Sequence, residues 1–332
     1  AVGIAPYVLL CRTDRFLPRS VKDKIALFCN VDEDAVITAK DVEHIYEVPT
    51  IFHSEGIDEK LTRVLGIWTG EPNLEPWKRV VHAVTHPEGE VRIGMVGKYV
   101  DLTDSYKSLN ESLHHGGIAH RVRVQIEYFD SEKITDASEL SKMNGILVPH
   151  GFGSRGVEGK IKAVRFAREQ RVPYLGICFG MQLAVIEFAR HVAGLAGANS
   201  AEVEQKSPHP VIDFMPDQRE LEDKGGSMRL GAYPCVLLPG SRAAEAYGTL
   251  EISERHRHRY EFNPDYRDRL SEAGLVLSGA SPNGHLVEVV EIADHPWFVA
   301  CQFHPEFKST PFAPHPLFTA FVGAALHHAD RD

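Results

Sequence analysis

"PYLGICFGMQLAVIEFAR", residues 173–190, runs from a short apolar strand into a cysteine between two glycines and leaves as a helix. Gly176 and Gly180 each stand two positions from Cys178, the spacing of a nucleophile elbow with cysteine in place of serine. Glycines there permit a sharp strand-to-helix turn that larger side chains would block. At the head of the helix Cys178 would feel the partial positive charge of its N-terminus, the setting in which reactive cysteines are found. Taken alone, the pattern also fits a small, inert core cysteine.

The same alternation continues outward. From residue 91, "VRIGMVGKYV", "SYKSLNESLHHGG", "RVRVQIEYFD", "GILVPHGFG", "VEGKIKAVRFAREQ" and "VPYLGICFG" read strand, helix, strand, strand, helix, strand. This predicts an α/β fold with a mostly parallel, doubly wound sheet and flanking helices. Sites in such sheets lie at the carboxyl ends of strands, where Cys178 falls. Beyond residue 227 the strands shorten and pair locally: "LVLSGASPNGHLVEVVE" reads as a hairpin around Pro282-Asn283-Gly284. "PWFVACQFHPEF" then leads to a last helix over 316–327. Residues 1–66 form a short α/β piece, with a strand in "YVLLCRTDR" and a helix in "SVKDKIALFCN" that Ser20 would cap. Residues 67–90 mix proline, glycine, tryptophan and charge, as a linker carrying one short helix does. The expected division is therefore 1–66, 67–90 and 91–332.

The 332 residues, 43% hydrophobic, suffice for two ordinary domains. A formal charge of −10 argues against a broad nucleic-acid face. The five cysteines are widely spaced and never form a C-x-x-C pair, so neither a disulfide framework nor a zinc site is indicated. No apolar run or amino-terminal signal points to a membrane or to export, and a cytoplasmic location is expected. The chain opens Ala-Val-Gly without methionine, as a piece of a longer protein would.

Several patterns lead elsewhere and fail. Gly151-x-Gly153-x-x-Gly156 matches a dinucleotide fingerprint, but the following strand ends "LGICFG" without the ribose-binding acid. "GVEGKI" and "GMVGKY" lack the Ser or Thr that follows lysine in a phosphate-binding loop. His114-His115 and His256/His258 have neither i, i+4 helical spacing nor companion cysteines, so no metal is assigned.

His304-Pro305-Glu306 ends an apolar strand, and residues i and i+2 of a strand share a face, so Glu306 can orient and charge His304. By itself this could be a surface turn. With Cys178 it supplies nucleophile, base and orienter, and thioester chemistry becomes the leading expectation.

Six stretches, "GFGSRGVEGK", "GICFGMQ", "NSAE", "GSMRLGAY", "SERHRHRYE" and "CQFHPEF", occur in this order. Together they resemble the glutaminase domain of the CTP synthase family, a class I glutamine amidotransferase. "RTDRFLPRSVKDKIALFCNVDEDAVITAKDVEHIYEVP" is similar to the end of that family's synthetase domain, so the resemblance spans nearly the whole chain. It implies Cys178 as nucleophile, His304 as base and later acid, and Glu306 as third triad member. It further implies Gly151 and Phe179 as backbone oxyanion donors, and Gln182, Glu202 and Arg259 as holders of L-glutamine. Glu202 would take the α-ammonium and Arg259 the α-carboxylate, which suits a zwitterion and the arginine fork. In the complete family enzyme ammonia passes to a synthetase site that uses ATP and Mg2+ to aminate UTP, and GTP activates the glutaminase. Lys107, Arg155, Arg229 and the lid-like residues 225–231 resemble elements of that GTP response. The glutaminase step itself takes no cofactor.

Two departures stand out. The synthetase body is absent from these residues, so the chain alone is not expected to make CTP or bind ATP. The family's homotetramer contacts lie largely in that part, so a monomer or weak dimer is expected, or a fragment that self-associates. The second departure is His150, where the family's "PGGFG" reads "PHGFG". If this position needs φ > 0, histidine adds strain of about 1–2 kcal/mol and weakens activity; otherwise the ring points to solvent. The rival readings are a glutamine- or partner-binding module disabled at His150, and a γ-glutamyl hydrolase acting on larger amides.

Overall fold

A computed structural model describes residues 3–98, 103–214 and 228–330. The chain divides into two compact units, Ala1–Pro87 and Glu88–Asp332.

In the first unit, β1 (Leu9–Thr13) pairs in parallel with β2 (Val36–Lys40), Leu9 opposite Val36. Four helices accompany them: α1 (Arg19–Cys29), α2 (Val48–Ser54), α3 (Ile57–Leu65) and α4 (Glu75–Thr85). Ser20 is not the cap of α1. The helix begins at Arg19 after Pro18, whose φ of −60° and ψ of 147° end the extended chain, and no side chain caps it. Proline supplies the break, and Ser20 lies inside the first turn.

The second unit holds β3 (Gly89–Gly97), α5 (Lys107–His120), β4 (Val122–Asp130), β5 (Gly145–Val148), α6 (Val157–Gln170), β6 (Tyr174–Ile177) and α7 (Phe179–His191). These are followed by β7 (Ala198–Ser200), β8 (His209–Phe214), β9 (Arg229–Leu237), α8 (Arg242–Tyr247), β10 (Glu251–His258) and β11 (Tyr260–Phe262). Then come α9 (Arg267–Glu272), β12 (Leu275–Ala280), β13 (Val287–Ile292), β14 (Phe298–Cys301) and α10 (Pro316–Ala329). Among the described residues the main sheet has nine strands in the order β10-β9-β12-β13-β14-β6-β5-β3-β4.

From β14 to β4 every pair is parallel, and from β10 to β14 every pair is antiparallel. The doubly wound parallel sheet is thus one half of a mixed sheet. Its other half includes the β12–β13 hairpin, whose pairing runs from Leu275 opposite Ile292 to Ala280 opposite Val287. A small second sheet, β11-β8-β7, stands apart.

Alternation along the strands gives two cores. Ile146 and Val148 of β5, and Phe298 and Ala300 of β14, pack with α6 and α7 on one face. Leu147, Val299 and Cys301 pack with α5 and α10 on the other. Helix α7 is buried along its whole first three turns, Phe179 to Ala189, as expected of a helix enclosed by sheet and neighbouring helix. No helix of the described residues is long and apolar enough to cross a membrane.

Candidate active site

Cys178 sits between β6 and α7 with φ 54° and ψ −102°, a backbone region that non-glycine residues rarely enter and that stores strain where function demands it. The sheet enforces it. Cys178 N donates to Cys301 O of the adjacent strand at 2.7 Å, while Met181 N and Gln182 N donate to Cys178 O. The flanking glycines are required by close backbone approach: a Cβ on Gly180 would lie 2.1 Å from Val148 O, and one on Gly176 2.9 Å from the carbonyl carbon of Gly180. Gly180→Ala is therefore expected to cost about 3 kcal/mol or more, read as a lowered midpoint in urea denaturation. An unchanged midpoint would show that the β5 backbone yields freely.

His304 and Glu306 meet, but not by strand periodicity. β14 ends at Cys301, and His304 precedes a one-turn 3-10 helix, Pro305–Phe307. That turn, rather than a pleat, carries Glu306 back under the ring. His304 Nδ1–H donates to Glu306 Oε1 at 2.8 Å, with both residues buried. Burial disfavours a charged His304, yet the neighbouring Cys178 sulphur and Glu306 carboxylate outweigh it and raise the imidazole to about 10. Burial likewise opposes charge on Glu306, and His150 and His304 together hold it down at about 2. His304 Nε2 has no completed hydrogen bond among the described residues. Cys178 and His304 line the same cavity without a well-directed S···N bond, a looseness common in such pairs before a ligand tightens them. Gln302 Nε2 donates to Cys178 Sγ at 3.6 Å.

A cavity of about 540 Å³ is lined by Cys178, His304, Gly151, Phe179, Gln182, Glu202 and Arg259 among others. Gln182 Nε2 donates to Tyr260 O at 3.0 Å and to Gln302 Oε1 at 3.2 Å, which fixes the amide. Glu202 Oε1 accepts from Gly153 N at 2.8 Å and so tethers the loop that presents Gly151. Arg259 lines the same cavity as the Glu202 carboxylate, and its Nε is buried without a partner among the described residues.

The three residues of the expected nucleotide response are scattered. Lys107 opens α5 and is exposed, and Arg155 is exposed and paired with Glu132. Arg229 is not presented to solvent. It is buried against Glu288 at 2.6 Å and Glu261 at 3.5 Å, over the ring of Tyr233. Of the lid-like stretch, residues 225–227 lie outside the described residues.

His150 departs from the first expectation made for it and meets the second only in part. Among the described residues the non-glycine residues at positive φ are Asn30, Arg121, Arg171 and Cys178, so His150 carries no left-handed strain. Its side chain is 35% exposed, with Nδ1 turned inward. Nδ1 lies 3.5 Å from Glu306 Oε1, and the ring centroid is 5.2 Å from that of His304.

This geometry can be set against known proteins. The family description "Glutamine amidotransferase class-I" matches residues 101–324. The chain belongs to that family. A second description, "CTP synthase N-terminus", matches residues 1–67. The CTP synthase of Syntrophus aciditrophicus (strain SB) is 59% identical over 333 residues, covering 99% of this chain and 62% of the relative. That of Geotalea uraniireducens (strain Rf4) is 59% identical over 331 residues, covering 98% of this chain and 62% of the relative. The chain thus spans 62% of the length of these curated relatives. A solved glutaminase domain of Trypanosoma brucei CTPS with bound acivicin is similar at 40% identity and a TM-score of 0.68, covering 71% of this chain and 94% of that one.

Three further residues of this candidate site were not singled out for it by the sequence reading. Lys160 is almost wholly buried, its Nζ 5.4 Å from the centroid of Phe179 and 3.4 Å from where a Cβ on Gly151 would stand. Burial and the nearby charge of Lys98 pull it down to about 7. Lys98 Nζ donates to Phe152 O at 2.6 Å, so two lysines underlie the 150–153 loop. The signal was a lysine on the apolar face of α6, in line with Val157 and Val164. Gln302 and His258, the others, lie in "CQF" and "RHRH" beside residues already singled out, but only the fold brings Gln302 to the sulphur.

Proposed function

We propose that this chain hydrolyses L-glutamine to glutamate and ammonia through a Cys178 thioester, as the glutaminase part of an enzyme that aminates UTP to CTP. One observation carries it: a cysteine held at a positive-φ strand-to-helix turn lines one cavity with His304, which is buried and hydrogen-bonded to Glu306. With the proton resting on His304, the sulphur attacks the side-chain amide carbon of glutamine. The oxygen that gains charge would accept from the Gly151 and Phe179 N–H groups, each such donor being worth ~3–4 kcal/mol in related chemistry. His304 then passes its proton to the departing nitrogen, which leaves as ammonia with the C–N bond broken and a thioester formed. A water molecule, deprotonated by the now neutral His304, attacks the thioester; the C–S bond breaks and glutamate departs. Glu202 and Arg259 supply the opposite charges that an α-amino acid needs at its far end, which favours free glutamine over larger amides.

The glutaminase step takes no cofactor. ATP and Mg2+ would serve the amination, and GTP the activation, in the complete enzyme; the relatives' remaining length would hold the synthetase body. Reaction with a synthetase in cis, a cytoplasmic location and a monomeric or weakly dimeric state for this span belong to the same reading. A second reading, a site that binds glutamine without turnover, is favoured by His150, whose ring competes with His304 for Glu306. Ammonia release from glutamine, measured with and without GTP for the natural chain and His150→Gly, separates them. Turnover by the natural chain supports hydrolysis. Glutamine binding without ammonia, with turnover restored in His150→Gly, supports the disabled site.

A further inference from the structure

His150, His304 and Glu306 each offer a ligand atom, and these atoms all lie within 4.8 Å of one another. Each side chain also carries a buried polar atom with no hydrogen-bond partner among the described residues: His150 Nδ1, His304 Nε2 and Glu306 Oε2. Two of the three residues are only 4% exposed. Buried polar atoms are ordinarily paired, so a cluster in which each residue keeps one open position has room for a ligand.

The donor set selects its chemistry. Two imidazoles and a carboxylate are ligands that zinc accepts, at about 2.0–2.2 Å, with a fourth tetrahedral position left open. Atoms bound to one such ion stand roughly 3.3–3.6 Å apart. His150 Nδ1 and Glu306 Oε1 are already 3.5 Å apart. His304 Nδ1 is 2.8 Å from the same oxygen, joined to it by a hydrogen bond. Cys178 lines the same cavity and can complete the shell through its sulphur.

We propose that His150, His304 and Glu306 form a zinc site that switches the cysteine off. Zinc on either ring nitrogen stops His304 from passing a proton to the departing nitrogen or taking one from water, and zinc on the sulphur removes the nucleophile. The ion is bound and released with no other bond made or broken, and a proton leaves any ligand that carries one. His150 is what makes the site: without it, one imidazole and one carboxylate remain beside the cysteine. The spacing of histidines along the chain gives no hint of this, because the ligands come from the loop after β5 and the turn after β14. The inhibitory consequence rests on the proposed glutaminase activity; the binding does not.

The test uses the whole chain, freed of metal, with zinc chloride as the only added ligand. Calorimetric titration of the natural chain is expected to show one tight equivalent that weakens at least tenfold in His150→Gly and in His150→Phe. Phenylalanine keeps a ring at the cavity without a nitrogen, and circular dichroism verifies that both variants fold. Zinc at one equivalent is expected to slow alkylation of Cys178 by iodoacetamide at least tenfold in the natural chain and less than twofold in either variant. Cys11 and Cys29, the less buried cysteines, are replaced by serine beforehand so that only the cavity thiol reports. Equal zinc affinity in all three proteins would overturn the site, and so would protection that survives in His150→Phe. If zinc binds as described but the metal-free chain releases no ammonia, the glutaminase reading fails and the metal site stands. If ammonia is released and zinc neither binds nor protects, the reverse holds.

Discussion

Cys178→Ala is expected to lower ammonia release from glutamine by about 10⁴-fold or more, equivalent to roughly 5.5 kcal/mol on the barrier. Cys178→Ser should fare little better, since a hydroxyl held beside His304 is a far weaker nucleophile than sulphur. Both variants should still bind glutamine within a few-fold of the natural affinity, because Glu202, Arg259 and Gln182 line the cavity with their own side chains and do not depend on the thiol. The split between lost turnover and retained binding is the diagnostic feature. A group that only shaped the pocket would move both quantities together. The fold should survive, for the turn is held by main-chain bonds from Cys178 N and O to Cys301, Met181 and Gln182, none of which uses the thiol. Cys178→Ala retaining even a tenth of the natural rate would remove the thioester from the mechanism and leave the water-activating groups to explain turnover directly.

The sequence carries this site unevenly, and the reasons are physical. The elbow was legible because three local constraints coincide within five residues: an apolar strand, glycines on either side, and a helix start. The parallel half of the sheet was legible for the same reason, since strand and helix periods alternate over 91–191. The antiparallel half was not, beyond its one hairpin, because pairing β9 with both β10 and β12 depends on contacts far apart in the chain. His304 and Glu306 were paired correctly on a mistaken premise: a strand pleat and a 3-10 turn both bring i and i+2 together, and only backbone angles tell them apart. The ring of His150 was read as either strained or solvated, because its actual neighbour, Glu306, is 156 positions away. Lys160 was weighed only as part of a nucleotide motif, although its place on the apolar side of α6 already demanded a buried positive charge or a shifted proton.

Acid should unfold this protein abruptly through the pair His256 and His258, the second of which lines the cavity. His258 Nδ1–H donates to Tyr260 O at 3.2 Å, and His256 Nδ1–H donates to His258 Nε2 at 2.9 Å. Burial and then the charge of Arg229 hold His256 down at about 2 and His258 at about 3. Their folded values lie below the unfolded ~6.5, so the unfolded chain takes up protons first as pH falls. The stability they contribute is complete above pH ~6.5 and is lost at ~1.4 kcal/mol per pH unit for each ring below it. Glu261 acts oppositely. Burial and the neighbouring Glu288 push it up to about 8, so its contribution is complete below the unfolded carboxyl value near 4.3 and is lost as pH rises from there to 8. Glu288, also raised, works in the same direction. Between pH ~6.5 and ~4.3 these opposing slopes largely offset, and His295, held down at about 4 chiefly by burial, adds a shallow loss. Below ~4.3 the raised carboxyls have spent theirs, and the two histidines lose ~2.7 kcal/mol per pH unit together with Glu306, whose value of about 2 adds a loss of the same sign. Urea midpoints measured from pH 7 to 3.5 should therefore fall gently and then steeply. His258→Gln, which keeps an amide near Tyr260 O but cannot titrate, should lessen the steep slope by about a third while lowering stability at pH 7 through imperfect packing. A straight decline from pH 7 downward, with the same slope in His258→Gln, would place the acid sensitivity outside this pair.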